Sequence, residues 1–117
     1  MLSLPLSIRV YVCMQPTDMR RSFDGLSAMT EHLLRQNPFS GHLFVFVNRR
    51  GDRLKILWWD RGGYVIYYRR LEEGTFQLPL SDGDAVEIDA SELAMILDGV
   101  DLAADRLHRY THLTAAL

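Results

Sequence analysis

The stretch NRRGDRLKILWWDRGG, residues 48–63, decides the fold of this chain. Two glycine-containing turns, RRGD and DRGG, flank the run RLKILWW, in which successive side chains face opposite sides of an extended strand. One side carries Leu54, Ile56 and Trp58, and the other carries Arg53, Lys55, Leu57 and Trp59. With GHLFVFVN before it and YVIYYRRL after it, the stretch predicts the middle strand of an antiparallel meander.

Upstream of the meander the sequence predicts a strand and a helix. SIRVYVCM, residues 7–14, is rich in β-branched and aromatic residues and predicts the strand. Asp18 or Ser22 can cap the helix, which we expect to end at Asn37-Pro38, because the residue before proline disfavours helical geometry. Its apolar stripe consists of Phe23, Leu26, Met29, Thr30, Leu33 and Leu34. We expect this helix to cover one face of the sheet and the other face to be half covered, with cations at its rim.

Downstream of the meander the sequence predicts two short strands and a second helix. TFQLP predicts an edge strand stopped by Pro79, and AVEID predicts another strand. Asp89 and Glu92 have the spacing of a capping box, and Gly99 is a favourable end for the helix that they begin. The fold class is therefore α+β: an antiparallel meander packed with an N-terminal helix and a short C-terminal helix, in a single domain over residues 1–101. A tail, 102–117, follows, in which a helical reading aligns Leu102, Leu107 and Tyr110.

Composition excludes several classes of protein. The 117 residues are 48% hydrophobic and 24% charged, as expected of a folded domain. Cys13 is the only cysteine, which rules out an intramolecular disulfide or a multi-cysteine zinc site and fits a reducing compartment. The apolar opening is too short to span a membrane and is interrupted by Pro5 and Arg9. We therefore expect a cytoplasmic protein without membrane contact.

The net charge of -2 conceals an asymmetry between the two parts of the chain. Residues 1–71 carry eleven Lys/Arg against five Asp/Glu, a net charge of +6, whereas residues 72–117 carry two against ten, a net charge of -8. Such a split is typical of a surface that binds a polyanion, or of two parts that attract each other or a partner.

Residue patterns for catalysis and metal binding are weak. The four histidines are scattered apart from His108 and His112, Cys13 lies in a predicted core strand, and no phosphate-binding glycine loop occurs. A nuclease-type acidic cluster is disfavoured because Asp52 and Asp60 lie at opposite ends of one predicted strand, roughly 25 Å apart. We predict no catalytic residue, no metal or cofactor site and no small-molecule substrate. A small metal-dependent nuclease remains the weakest alternative.

The candidate contact residues are a basic set with nearby aromatic side chains. They are Asp18, Arg20, Arg21, Arg49, Arg50, Arg53, Lys55, Trp59, Arg69 and Arg70. In one interpretation they contact phosphates, with Trp59 or Tyr67 available to stack on bases. Alternatively, the cations guard a sheet edge or pair with the acidic half, and an aromatic face contacts another protein.

Three segments resemble a known family, the TnpB accessory proteins of the bacterial insertion-sequence family sixty-six. They are PTDMRRSFDGL (16–26), NPFSGHLFVFVNRRGDRLKILWWDRGGYVIYYRRLEEGTF (37–76) and ELAMILDGVD (92–101). The resemblance extends from Val10 to Asp101. Two departures are mild: Arg69 stands where the family usually has lysine, and Leu78 where it often has tryptophan.

The resemblance implies a non-catalytic role in DNA transposition, beside a separate transposase that carries the strand-transfer chemistry. The expected partner is that transposase, transposon-end DNA, or both, with the turn at Asp18 and the hairpin Arg49–Arg53 as contact points. If about five cations contact DNA, log K against log salt slopes at about -4.5. A module that contacts only protein is the alternative.

Overall fold

The computed structural model describes residues 7–99, so the tail predicted after residue 101 lies outside the described part. Along these residues the elements are β1 (Val10–Cys13), α1 (Phe23–His32), β2 (Leu43–Val47), β3 (Arg53–Asp60), β4 (Gly63–Arg70), β5 (Ala85–Ile88) and α2 (Ala90–Leu97). The strands form one sheet in the order β4-β3-β2-β1-β5. The predicted α+β class is confirmed.

The antiparallel meander of β2, β3 and β4 is confirmed, with Val45 opposite Ile56 and Ile56 opposite Tyr67. Asp60 pairs with Gly63, so only two residues make the turn between β3 and β4. Both have positive φ, 45° at Arg61 and 85° at Gly62, which matches the twist of a two-residue hairpin.

The other half of the sheet is mixed, which the sequence pattern did not predict. β1 runs parallel to β2, with Val10 opposite Leu43, and β5 runs antiparallel to β1. The reason is the connection: α1 lies between β1 and β2 and returns the chain to its starting edge, as a helical crossover between parallel strands does.

The two helices cover opposite faces of the sheet. Leu26 of α1 packs with Phe44 and Leu57, whereas Leu93 and Ile96 of α2 pack on the other face. α2 therefore supplies cover for the second face, which the sequence pattern predicted to be half covered. Arg53, Lys55 and Arg70 lie on the face of α1, whereas Arg69 lies on the face of α2, so the cations are not confined to the rim of the second face as predicted.

One predicted strand and one predicted helix end were wrong. TFQLP forms no strand, because the Phe76 N–H bonds the Gly51 carbonyl at 2.7 Å and ties this segment to the turn before β3. α1 ends at His32, whereas the sequence predicted that it would continue to Asn37-Pro38. The Gln36 N–H donates to the Thr30 carbonyl, six residues back, while Arg35 takes a left-handed φ of 57°, and together these close the end of the helix.

The predicted helix starts fare differently. The capping box of α2 is confirmed, since the Asp89 carboxylate accepts from the Glu92 N–H at 2.7 Å and the Glu92 side chain accepts from the Asp89 N–H. At α1 the N-cap is Ser22, but its side chain makes no capping hydrogen bond. The carboxylate of Asp18 is bonded to Arg20 instead, so neither of the two predicted residues caps α1 through its side chain.

Candidate functional site

A concavity of about 420 Å³ opens between the segment before α1 and the turn before β3. Its lining residues, which we call the basic concavity, are Pro16, Thr17, Asp18, Met19, Asn48, Arg49, Arg50 and Arg53. The two segments are joined at its base by the Thr17 N–H, which donates to the Val47 carbonyl at 2.9 Å. The structure thus brings together the Asp18 turn and the Arg49–Arg53 hairpin, which are separated by some thirty residues of sequence.

The turn that carries the arginines is braced by Asn48. Its amide nitrogen donates to the Asp52 carboxylate at 2.7 Å, and its amide oxygen accepts from the Arg53 N–H at 3.0 Å. The hydrogen bond from Asn48, helped by the charge of Arg50, lowers the pKa of Asp52. Arg49 and Arg50 are exposed, and neither donates a hydrogen bond to any residue in 7–99. The turn therefore presents two guanidinium groups to solvent.

The acidic member of the basic concavity, Asp18, is ion-paired with Arg20. Its carboxylate accepts from the Arg20 N–H at 2.9 Å and from the Arg20 guanidinium at 2.6 Å. The hydrogen bonds from Arg20 lower the pKa of Asp18 to about 2, so the carboxylate stays ionised near neutral pH. The Arg20 side chain is nevertheless 92% exposed. Arg21 is exposed as well, at the start of α1.

Lys55 lies inside the protein rather than on the contact surface that the sequence suggested. The residue is 8% exposed, and its ammonium donates to the carbonyls of Met19 and Arg21, each at 2.8 Å. It also sits over the ring of Tyr68, 4.8 Å from the centroid. Lys55 therefore holds the wall of the basic concavity in place from behind.

A second, smaller hollow of about 160 Å³ adjoins the first through a shared residue. It is lined by Arg53, Tyr68 and Arg70, which lie on the same face of β3 and β4. Arg53 donates to the Tyr68 hydroxyl at 3.1 Å, and Arg70 donates to Glu72 at 2.8 Å. Sequence reasoning missed Tyr68, although pairing the predicted strands would have placed it directly opposite Lys55. Arg69 alternates with its neighbours and lies on the other face.

The structure does not bring Trp59 to these cations. Trp59 lies six residues from Arg53 along β3, about 20 Å at the rise of a strand. There it packs edge-to-face with Phe39 at 4.9 Å and with Tyr64 at 5.0 Å between ring centroids. Tyr67 packs against the core under α2. The aromatic cluster of Phe39, Trp59 and Tyr64 is thus a separate surface.

Other site chemistries find little support in the described residues. Between residues 7 and 99 no three His, Cys, Asp or Glu side chains are grouped so that they could hold a metal ion. Cys13 is buried, and burial raises the pKa of its thiol. Within the same range no helix is both long and apolar enough to cross a membrane.

Comparison with known proteins places the chain in a family. It belongs to the family described as IS66 Orf2 like protein, whose model matches residues 8–106. It is 37% identical over 95 residues to "Uncharacterized protein y4hO" of Sinorhizobium fredii (strain NBRC 101917 / NGR234), covering 81% of this chain and 83% of that protein. Identity to "Uncharacterized protein y4jC" of the same organism is 34% over 94 residues, 80% of each chain. No solved structure matches the chain.

Family membership makes this chain an accessory protein associated with the transposition of IS66-type insertion sequences. The family is an accessory and non-catalytic one, and it links the chain to the transposition machinery. The resemblance seen in the sequence is therefore confirmed.

Proposed function

We propose that this accessory protein binds transposon-end DNA through the basic concavity, beside the transposase that performs the chemistry. The observation that carries the proposal is the pair Arg49 and Arg50, exposed on a braced turn and without a hydrogen-bond acceptor in residues 7–99. Exposed arginine side chains without an internal acceptor can bind phosphate oxygens, because a guanidinium presents several donors in a planar fork.

Local electrostatics support the same proposal. The carboxylates of the two segments that form the basic concavity have hydrogen-bond donors within the protein, Arg20 for Asp18 and Asn48 for Asp52. Neither carboxylate accepts a hydrogen bond from Arg49 or Arg50, so both guanidinium groups keep their donors available for an external anion, while the charge of Arg50 acts on Asp52 without a hydrogen bond between them. The association of the family with transposition favours DNA as the polyanion that binds here.

The salt dependence of binding tests this proposal. Three arginines line the basic concavity, so log K for a duplex of the terminal repeat should fall with log salt at a slope of about -2.7. Replacing both Arg49 and Arg50 by alanine should reduce the slope to about -0.9, because two phosphate contacts are lost. A slope near -4.5 would instead mean that Arg20 and Arg21 also reach phosphates. Fluorescence anisotropy with a labelled duplex between 50 and 200 mM salt measures these slopes.

A charge-matched control separates local contact from overall charge. Arg35 and Arg61 are exposed cations outside the concavity, and both have positive φ, which asparagine tolerates. The double variant Arg35→Asn/Arg61→Asn removes the same charge and should keep the wild-type slope. The proposal fails if the duplex does not bind at low salt, or if both double variants lose the same slope.

A second candidate function is docking on the transposase through the aromatic cluster. Phe39 is 57% exposed beside Trp59, and aromatic side chains are enriched in protein interfaces. This function predicts that co-purification with the transposase survives moderate salt and is lost in Trp59→Ala. Loss in Arg49→Ala/Arg50→Ala instead, with the Trp59 variant unaffected, would contradict it.

A further inference from the structure

Tyr68 stands out as an aromatic ring placed among cations on the outermost strand of the sheet. β4 is the end strand, and Tyr68 is 47% exposed on it. The Arg53 guanidinium donates to the Tyr68 hydroxyl at 3.1 Å, and the Lys55 ammonium sits over the ring at 4.8 Å. One face of the ring is therefore occupied by a buried cation, and its exposure falls on the opposite face and the edge.

The surroundings of this ring fit one nucleotide. The hollow lined by Arg53, Tyr68 and Arg70 measures about 160 Å³, the scale of a single base or phosphate. Arg53 lines both this hollow and the basic concavity, so cations continue from the turn to the outer strand. Arg70 is bound to Glu72 at 2.8 Å, but both side chains are more than half exposed, and such a pair adds little stability that a phosphate would have to overcome.

We propose that the hollow at Tyr68 binds an unpaired nucleotide of single-stranded DNA, with the base stacked on the open face of the ring. Arg53 and Arg70 then contact the adjoining phosphates. A duplex keeps its bases stacked on one another, so an isolated ring flanked by cations is complementary to an unpaired base rather than to a double helix. This inference rests on the proposed function in taking DNA as the ligand, and adds the strand state that one part of the surface recognises.

The experiment compares an unpaired and a paired probe. Binding of fluorescein-labelled twelve-residue oligothymidylate and of a labelled hairpin duplex is measured by anisotropy at one low salt concentration. We expect Tyr68→Leu to weaken oligothymidylate binding by about 5- to 150-fold, the range for loss of one stacked base, and to change duplex binding less than about twofold. Tyr68→Phe keeps the ring and loses only the hydroxyl, so its affinity for oligothymidylate should stay close to that of the wild type.

Phe39→Leu is the matched control, since Phe39 is an exposed aromatic residue in the separate aromatic cluster. It should leave both affinities unchanged, and thermal unfolding shows that each variant is folded. The inference is overturned if Tyr68→Leu binds oligothymidylate as the wild type does, or if Tyr68→Phe loses as much as Tyr68→Leu. Duplex binding without oligothymidylate binding overturns it while leaving the proposed function intact, and binding of neither probe overturns both.

Discussion

Replacing Lys55 by methionine removes a buried charge whose contacts within residues 7–99 are known. Its ammonium donates to the carbonyls of Met19 and Arg21 at 2.8 Å each and sits over the Tyr68 ring. Methionine is unbranched and flexible, so it can fill the same space without steric conflict. The change therefore tests the polar contacts of Lys55 rather than its volume.

The expected change in the free energy of unfolding is the difference between two favourable contributions of Lys55 and one unfavourable contribution. Two hydrogen bonds from a charged donor contribute about 1.5–3 kcal/mol each, and the cation–π contact about 0.5–2 kcal/mol. Against these stands the desolvation of the ammonium, which costs several kcal/mol and which methionine avoids. The two carbonyls belong to a segment whose Arg21 is exposed, so water can reach part of what the substitution uncovers. We expect a net loss of about 2 kcal/mol in the free energy of unfolding.

Urea and thermal unfolding followed by circular dichroism measure this loss. For a domain of this size, about 2 kcal/mol lowers the Tm by roughly 8–16 °C. Arg49→Met, an exposed cation without a hydrogen bond to residues 7–99, is the control and should stay within about 0.5 kcal/mol of the wild type. If Lys55→Met is as stable as the wild type, desolvation outweighs the contacts and Lys55 does not hold the segment before α1.

Three further predictions concern single residues. The carboxylate of Asp18 should titrate in NMR with a pKa of about 2, and this pKa should move towards 3.8 in Arg20→Ala. Because the folded pKa is depressed, the contribution of Asp18 to stability is present above pH 4 and is lost as the pH falls through 2. An unchanged pKa in Arg20→Ala would contradict this. Arg35→Gly should stabilise the protein by about 0.5–1 kcal/mol in urea unfolding, since glycine adopts the φ of 57° of residue 35 without strain. A destabilised variant would contradict the view that Arg35 is strained at the end of α1. Cys13 should react with 5,5′-dithiobis(2-nitrobenzoate) only when the protein unfolds, because the thiol is buried and burial raises its pKa. Rapid labelling of the native protein would contradict the burial of Cys13.

Local patterns predicted most of the elements, because short-range physics determines them. The alternation in Arg53–Asp60 and the glycine turns around it identified the meander, and the spacing of Asp89 and Glu92 identified the start of α2. The end of α1 was misplaced because its left-handed termination involves an arginine, a residue that gives no signal for such a conformation. TFQLP was misassigned since its backbone partner, the turn at Gly51, is distant in sequence.

The candidate site was predicted in composition but not in arrangement. The cations of the turn and the segment at Asp18 were both identified, and the structure joins them across one concavity. Lys55, in contrast, faces inward and Trp59 lies at the far end of β3, while Tyr68 was overlooked. Strand alternation assigns a side chain to a face of the sheet, but it does not say where on that face a helix ends and solvent begins.

The sequence by itself determined the fold class, the meander, the basic character of residues 1–71 and the family. Each of these depends on residue order within short windows or on motifs that keep their spacing. Only the tertiary structure decided the parallel pairing of β1 with β2, the placement of α1 and α2 on opposite faces, and the burial of Lys55 beneath Met19 and Arg21. These depend on contacts between residues far apart in the chain, where the hydrogen-bond partner of one group is set by the packing of all the others.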